Sequence, residues 1–182
     1  MVKELEAYER TYAHEVKDAG KIEEFLRAWI RGIATGLNEV DEETARRILK
    51  RCGENCCKIF LEVYGLDLAS HDLNSLIETL DRGLATTGTR CERKGDTIIY
   101  EFKPKQCECL LVSENIVELT PRLCSACFTN WLEYMFGTVS KKPVRAELIE
   151  SLATGAEKCS FQIKLESETK TKINHELNHF KL

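Results

Sequence analysis

The stretch TRCERKGDTIIYEFK, residues 89–103, decides the fold class. Lys94-Gly95-Asp96 is a turn signal, because glycine enters left-handed backbone freely and aspartate bonds the nearby backbone. The run after it (Thr97, Ile98, Ile99, Tyr100, Phe102) is rich in β-branched and aromatic residues. Two strands around this turn are expected. Just upstream, ATTGT (residues 85–89) reads as a linker-like turn, and the character of the chain changes near Thr86.

Upstream of that change the chain reads as helix. KIEEFLRAWIRGIATGL (21–37) places Ile22, Phe25, Leu26, Trp29, Ile33 and Leu37 at helical spacing. DEETARRILKRCGENCCKIFLEVYG (41–65) starts at Asp41, a suitable N-cap, and ends at Gly65, a natural C-cap. Its apolar stripe is read as Ala45, Ile48, Leu49, Cys52, Cys56, Ile59, Phe60 and Val63. DLNSLIETLDRGL (72–84) gives a third helix with Leu73, Leu76, Ile77 and Leu80 on one face, and a short helix is expected over roughly residues 4–17.

Downstream the pattern is mixed. CECLLV (107–112) is expected to form a short third strand. TPRLCSACFTNWLEYMFG (120–137) returns to helix, with Thr120 as N-cap, Pro121 at the first helical position and Gly137 closing it. VRAELIESL (144–152) and CSFQIKL (159–165) read as strands, the latter alternating Cys159, Phe161, Ile163 and Leu165 against polar residues. Helices followed by a strand-and-helix section imply an α+β fold: N-terminal helices on a small antiparallel sheet with one inserted helix. The expected organisation is one compact domain, with a helical half (1–85), a strand and helix half (86–166) and a polar tail (167–182).

Composition narrows the function classes. Of 182 residues, 43% are hydrophobic and 31% charged, as in ordinary globular chains. A net charge of −4 argues against a general nucleic-acid binder, which needs a basic face. The first residues, MVKELEAYERTYAHEVK, are charged throughout and lack the apolar core of a secretory signal. No apolar run approaches the ~18 residues that a membrane span needs. A cytoplasmic location without a membrane span follows as the expectation.

Nine cysteines, an odd number, do not suggest a disulfide framework in such a chain. Four stand out: Cys107-x-Cys109 and Cys124-x-x-Cys127. Two tight pairs of soft ligands suit tetrahedral zinc, and a helix start favours thiolate. An iron–sulfur cluster would use the same ligands, although its common spacings differ. Redox chemistry and plain burial are the competing readings of these thiols. With four thiolates bound, such a metal would be structural, leaving no open position for water. Cys52 and Cys56, four apart on the apolar stripe, are expected to pack in the core, with Cys56 also a candidate to face a ligand pocket. Phe128, Trp131 and Met135, at helical spacing, are core candidates that could line an apolar pocket. The tail matches H-E-x-x-H at His175, Glu176 and His179, but a catalytic zinc needs a third protein ligand and only three residues follow.

The segment VRAELIESLATGAEKCSFQIKL (144–165) resembles the closing part of the 4-vinyl reductase domain, on Glu147, Glu150, Gly155, Cys159 and Phe161. The wider region from QCECLL (106–111) through CSACFTNWLEYMFG (124–137), with RCGENCC (51–57), resembles small bacterial and archaeal proteins similar to thiazoline-carboxylic acid hydrolases. The 4-vinyl reductase domain shares its fold with TRAPP vesicle-tethering subunits and the haem-NO-binding domain. The resemblance therefore implies a TRAPP-subunit-like α+β fold with a buried apolar ligand cavity. It does not carry haem over, since no residue matches the haem histidine. Three functions stay open. The first is a small-molecule (apolar ligand) binding or sensor domain with a cysteine-bound metal. The second is a hydrolase of a small cyclic or sulfur-containing amide, with Cys127 or Cys56 as nucleophile. The third is an interaction subunit forming a homodimer.

Overall fold

The computed structural model describes residues 19–82 and 88–166. The helix expected near residues 4–17, the start of the linker-like turn and the whole 167–182 tail, with His175, Glu176 and His179, lie outside the described residues. Within them the order is α1 (Ala19–Gly36), α2 (Glu42–Tyr64), α3 (Leu73–Asp81), β1 (Arg90–Lys94), β2 (Thr97–Phe102), α4 (Leu110–Ser113), a π-helical segment (Leu123–Phe128), α5 (Thr129–Ser140), β3 (Val144–Glu150) and β4 (Cys159–Leu165). The chain divides into two compact units. The described part of the first is 19–39 with Cys109–Glu118, and that of the second is Val40–Glu108 with 119–166. The α+β reading holds.

The second unit is built on a four-stranded antiparallel sheet, in the order β1-β2-β4-β3. β1 and β2 form the expected hairpin, with Lys94 opposite Thr97 and Gly95 at φ +64° in the tight turn. β4, last in sequence, pairs β2 with Ile98 opposite Ile163 and Tyr100 opposite Phe161. It also pairs β3 with Ala146 opposite Ile163, and a register shift follows at Leu148/Glu150. That central position explains why Cys159, Phe161, Ile163 and Leu165 are all buried. The edge strand β1 carries Arg90, Glu92, Arg93 and Lys94, charges that discourage pairing with another chain.

α5 lies between this sheet and α2. Toward the sheet, Phe128 packs on Phe161 with ring centroids 4.9 Å apart and on Phe102 at 5.9 Å. Toward α2, Trp131 meets Phe60 edge-on at 5.1 Å. α2 begins at Asp41, whose side chain accepts from the Thr44 N–H, and ends at left-handed Gly65, both as expected. α3 begins at Asp72, in a capping box with Ser75.

The α2–α5 contact overturns one expectation about the stripe of α2. The side facing α5 is Ala45, Arg46, Leu49, Gly53 and Cys57, all buried, with Phe60 half-buried. Ile48, Cys52, Cys56, Ile59 and Val63 are exposed. The helix is thus rotated relative to its apolar stripe, and two polar or small residues account for it. A Cβ on Gly53 would lie 2.5 Å from the Cys127 carbonyl oxygen and 2.9 Å from the Asn130 Cβ, so only glycine admits this approach. Arg46, 5% exposed, reaches across to α5 and β3. Its guanidinium donates to the Ser125 carbonyl (2.8 Å), the Thr129 hydroxyl (2.7 Å) and the Ala146 carbonyl (3.3 Å), and it pairs with the Glu133 carboxylate. The same carboxylate oxygen accepts the Ala146 N–H at 2.9 Å. Asn130 closes the knot, donating to the Arg46 carbonyl at 3.0 Å.

Two further expectations are corrected. Residues 107–112 form no strand: the Val112 and Ser113 N–H groups bond the Cys109 carbonyl, and α4 follows. Asn115, at φ +54°, reverses the chain after it. The helix from Pro121 does not stop at Gly137 but runs to Ser140, where Lys141 adopts the left-handed conformation (φ +53°) and donates to the Gly137 carbonyl. Its early part is π-helical, the Thr129 N–H bonding the Cys124 carbonyl five residues back.

Arg46→Ala leaves a carboxylate and three oxygens without their buried donor, and removing one member of such a pair costs about 3–5 kcal/mol. Urea unfolding of this variant is expected to show a correspondingly lower midpoint at unchanged slope. Gly53→Ala sets a helix-propensity gain of about 1 kcal/mol against a backbone clash. Overpacking costs about 1–3 kcal/mol even where side chains can give way, and a carbonyl cannot, so the net effect is a loss. A thermal melt of the Ala variant at or above the parent midpoint would refute the close approach.

Candidate interaction surface

The cysteines separate by environment. Cys109 is exposed and belongs to the first unit, whereas Cys107, Cys124 and Cys127 are half-buried and belong to the second, the last two in the π-helical segment. Among the described residues, no group of three or more His, Cys, Asp or Glu side chains is placed to hold a metal ion. No disulfide joins any pair of cysteines among the described residues. Cys52 and Cys56, read as core, are exposed, and it is Cys57 that packs inside.

Burial sets the chemistry of the inner thiols. It pushes Cys57 up to about 12, with Cys56 adding to the effect, and it pushes Cys91 up to about 12, with Asp81 adding to it. Cys159 is also raised, chiefly by burial. Each stays protonated near neutrality, and a protonated thiol is neither a nucleophile nor a metal ligand. The Tyr100 phenol between them is raised by burial as well, so it too stays neutral.

Three of the four residues expected to line a ligand pocket meet in the core, and Cys56 does not join them. Met135 is fully buried and Trp131 is 4% exposed, both within the core cluster. Phe128 packs against that cluster and stacks on Trp131 at 5.1 Å. Cys56 is on the exposed side of α2.

The feature that departs from a closed globular unit is α1. Hydrogen bonds from its polar edge tie it to the rest of its unit, and of its apolar residues Ile30 and Ala34 are half-buried. Arg27 donates to the Glu114 carbonyl at 3.0 Å and to the Glu23 carboxylate at 2.8 Å. Arg31 donates to the Ile116 carbonyl at 3.2 Å. The apolar stripe points the other way: Trp29 is 59% exposed and Phe25 52%, and Ile22, Leu26 and Ile33 are also exposed. Only Leu37, at the foot of the helix, is buried. Phe25, Ala28, Trp29, Gly32 and Ile33 border a shallow hollow. A Cβ on Gly32 or Gly36 would meet nothing within 4 Å.

A second exposed apolar strip runs along α2 in the other unit: Ile48, Ile59 and Val63, with Cys52 and Cys56 between them. The spacing of both strips was legible as helix. What sequence reading missed was which face meets water, and the small residues Ala28 and Gly32 that floor the hollow, with Gly36 one turn further on. Their i, i+4, i+8 spacing was the available signal.

Comparison with known proteins adds little to this geometry. The sequence matches no protein-family profile and no curated protein. Among solved structures, the chain is similar to a trafficking protein particle complex subunit 3 from Naegleria fowleri covalently bound to palmitic acid. The TM-score is 0.48 and the identity 12%, covering 81% of this chain and 97% of that one.

The thiol environments make a direct prediction. Mass mapping after brief alkylation of the native protein is expected to label Cys52, Cys56 and Cys109 first. Cys57, Cys91 and Cys159 should react more than about 100-fold more slowly, because burial and a raised pKa both act against the thiolate.

Proposed function

We propose that this protein is an interaction subunit, whose α1 helix buries its apolar face against another macromolecule. One observation carries the reading: α1 is fastened by Arg27 and Arg31 through its polar edge, while Trp29, Phe25 and their neighbours face solvent. Amphipathic helices of globular chains ordinarily turn their apolar stripe inward, because burial is worth about 25 cal/mol per Å². An exposed strip of this kind marks an association site. It is also uncharged, as the interior of a protein–protein interface tends to be.

The ligand-binding and hydrolase alternatives draw less support. Trp131 and Met135, expected to line a cavity, are packing residues of the core, and Cys56, a candidate nucleophile, stands on the exposed side of α2.

Acrylamide quenching tests the reading, since the chain has two tryptophans, Trp29 and Trp131. In the monomeric species, one accessible and one shielded population is expected, and Trp29→Phe should abolish the accessible one. If both are shielded in the monomer, α1 is covered by its own chain and the reading fails.

A further inference from the structure

The interaction surface just described carries its own complement, and we infer that its occupant is a second copy of this chain, paired through α1. The inference rests on the reading of α1 as an interaction face and goes on to name the partner.

Three observations favour a copy. First, the face holds both a projection and a recess. Trp29 and Phe25 stand out into solvent, and beside them Ala28 and Gly32 floor a hollow. A surface with knob and hole side by side fits itself, which is the requirement of a two-fold isologous contact. Glycine at 32 and 36 leaves open space where a side chain would begin, so a partner helix can approach closely.

Second, the area fits. Half-exposed Phe25 and Trp29 with three partly exposed aliphatics leave about 500 Å² of apolar surface per chain, at the upper end of what a monomer keeps in water. Two-fold pairing covers it on both copies and buries about 1,000 Å² before any rim residues are added, the scale at which specific interfaces begin.

Third, the charges of α1 do not suit a lipid surface. A membrane-lying helix needs a cationic polar side. Here Arg27 and Arg31 are engaged with the Glu114 and Ile116 carbonyls, and Glu23 and Glu24 offset two of the three cations, Lys21 included.

The test is the molar mass of the full chain by light scattering and sedimentation, for the parent, Trp29→Glu and Gly32→Leu. A Cβ at position 32 meets nothing within 4 Å, so the side chain of Gly32→Leu has room to enter the hollow. The parent is expected at twice its 20.8 kDa at concentrations on the order of 10 µM. Both variants are expected to weaken dimerisation by more than about 10-fold with an unchanged circular dichroism spectrum. In the parent itself, Trp29 should pass from quenchable to shielded as concentration rises, a readout that needs no variant.

A parent that stays monomeric with Trp29 quenchable overturns the second copy and leaves the interaction face standing. A dimer that both variants leave intact also overturns it, because the pairing then lies elsewhere. A monomer whose Trp29 becomes shielded on vesicles of anionic phospholipid overturns it in favour of a membrane surface. A monomer with Trp29 already shielded overturns both proposals together.

Discussion

The second unit depends on one buried cation. Arg46 joins three elements that are far apart in sequence: α2 that carries it, the π-helical turn and α5 through Ser125, Thr129 and Glu133, and β3 through Ala146. Burying a charge is tolerable only when its hydrogen bonds are met and its charge is paired. That condition fixes the surroundings. The Glu133 carboxylate has to lie within reach, and it also takes the Ala146 N–H. The Ser125 carbonyl has to face outward from its helix, where it accepts from both Arg46 and Thr129. The Gly53 contact sets how close the two helices come, and the aromatic rings from Phe60 to Phe161 fill the space that remains.

The first unit follows different physics. Its helix is attached by hydrogen bonds from arginines to backbone carbonyls, groups that water could satisfy nearly as well, so the net gain per bond is small. Most of the apolar stripe, from Ile22 to Ile33, is left exposed, while Ile30 and Ala34 are half-buried and Leu37 is buried. A helix that keeps most of its apolar surface uncovered gains most from a partner that covers it. This is why function, in the reading offered above, is assigned to a face of α1 and not to a cleft in the core. The nine cysteines are divided among buried, half-buried and exposed positions, and no metal centre gathers them among the described residues.

Much of the architecture was legible from local chemistry. Asp41, Gly65, Asp72 and Gly95 stand at helix ends and a turn because those conformations need a capping oxygen or a left-handed residue, and both are local requirements. The alternation of Cys159, Phe161, Ile163 and Leu165 announced a strand with one core face. The π-helical register was not legible, because Leu-Cys-Ser-Ala-Cys-Phe has no residue that forbids ordinary helix. The expected strand at 107–112 failed for a related reason: short apolar runs suit strand or helix equally, and here the backbone turned at Cys109.

The sequence alone determined most of the helices and strands, several of their ends, and the α+β class, since each follows from spacings of a few residues. Only the tertiary structure decided which way the helices face. α2 turns Arg46 and Gly53 inward and leaves Ile48, Ile59 and Val63 in water, and α1 leaves Ile22, Phe25, Leu26, Trp29 and Ile33 exposed. Periodicity records that a helix has an apolar side. It does not record where that side points, because that depends on a charge being met by Glu133 and a carbonyl at Ser125, partners about eighty residues away along the chain.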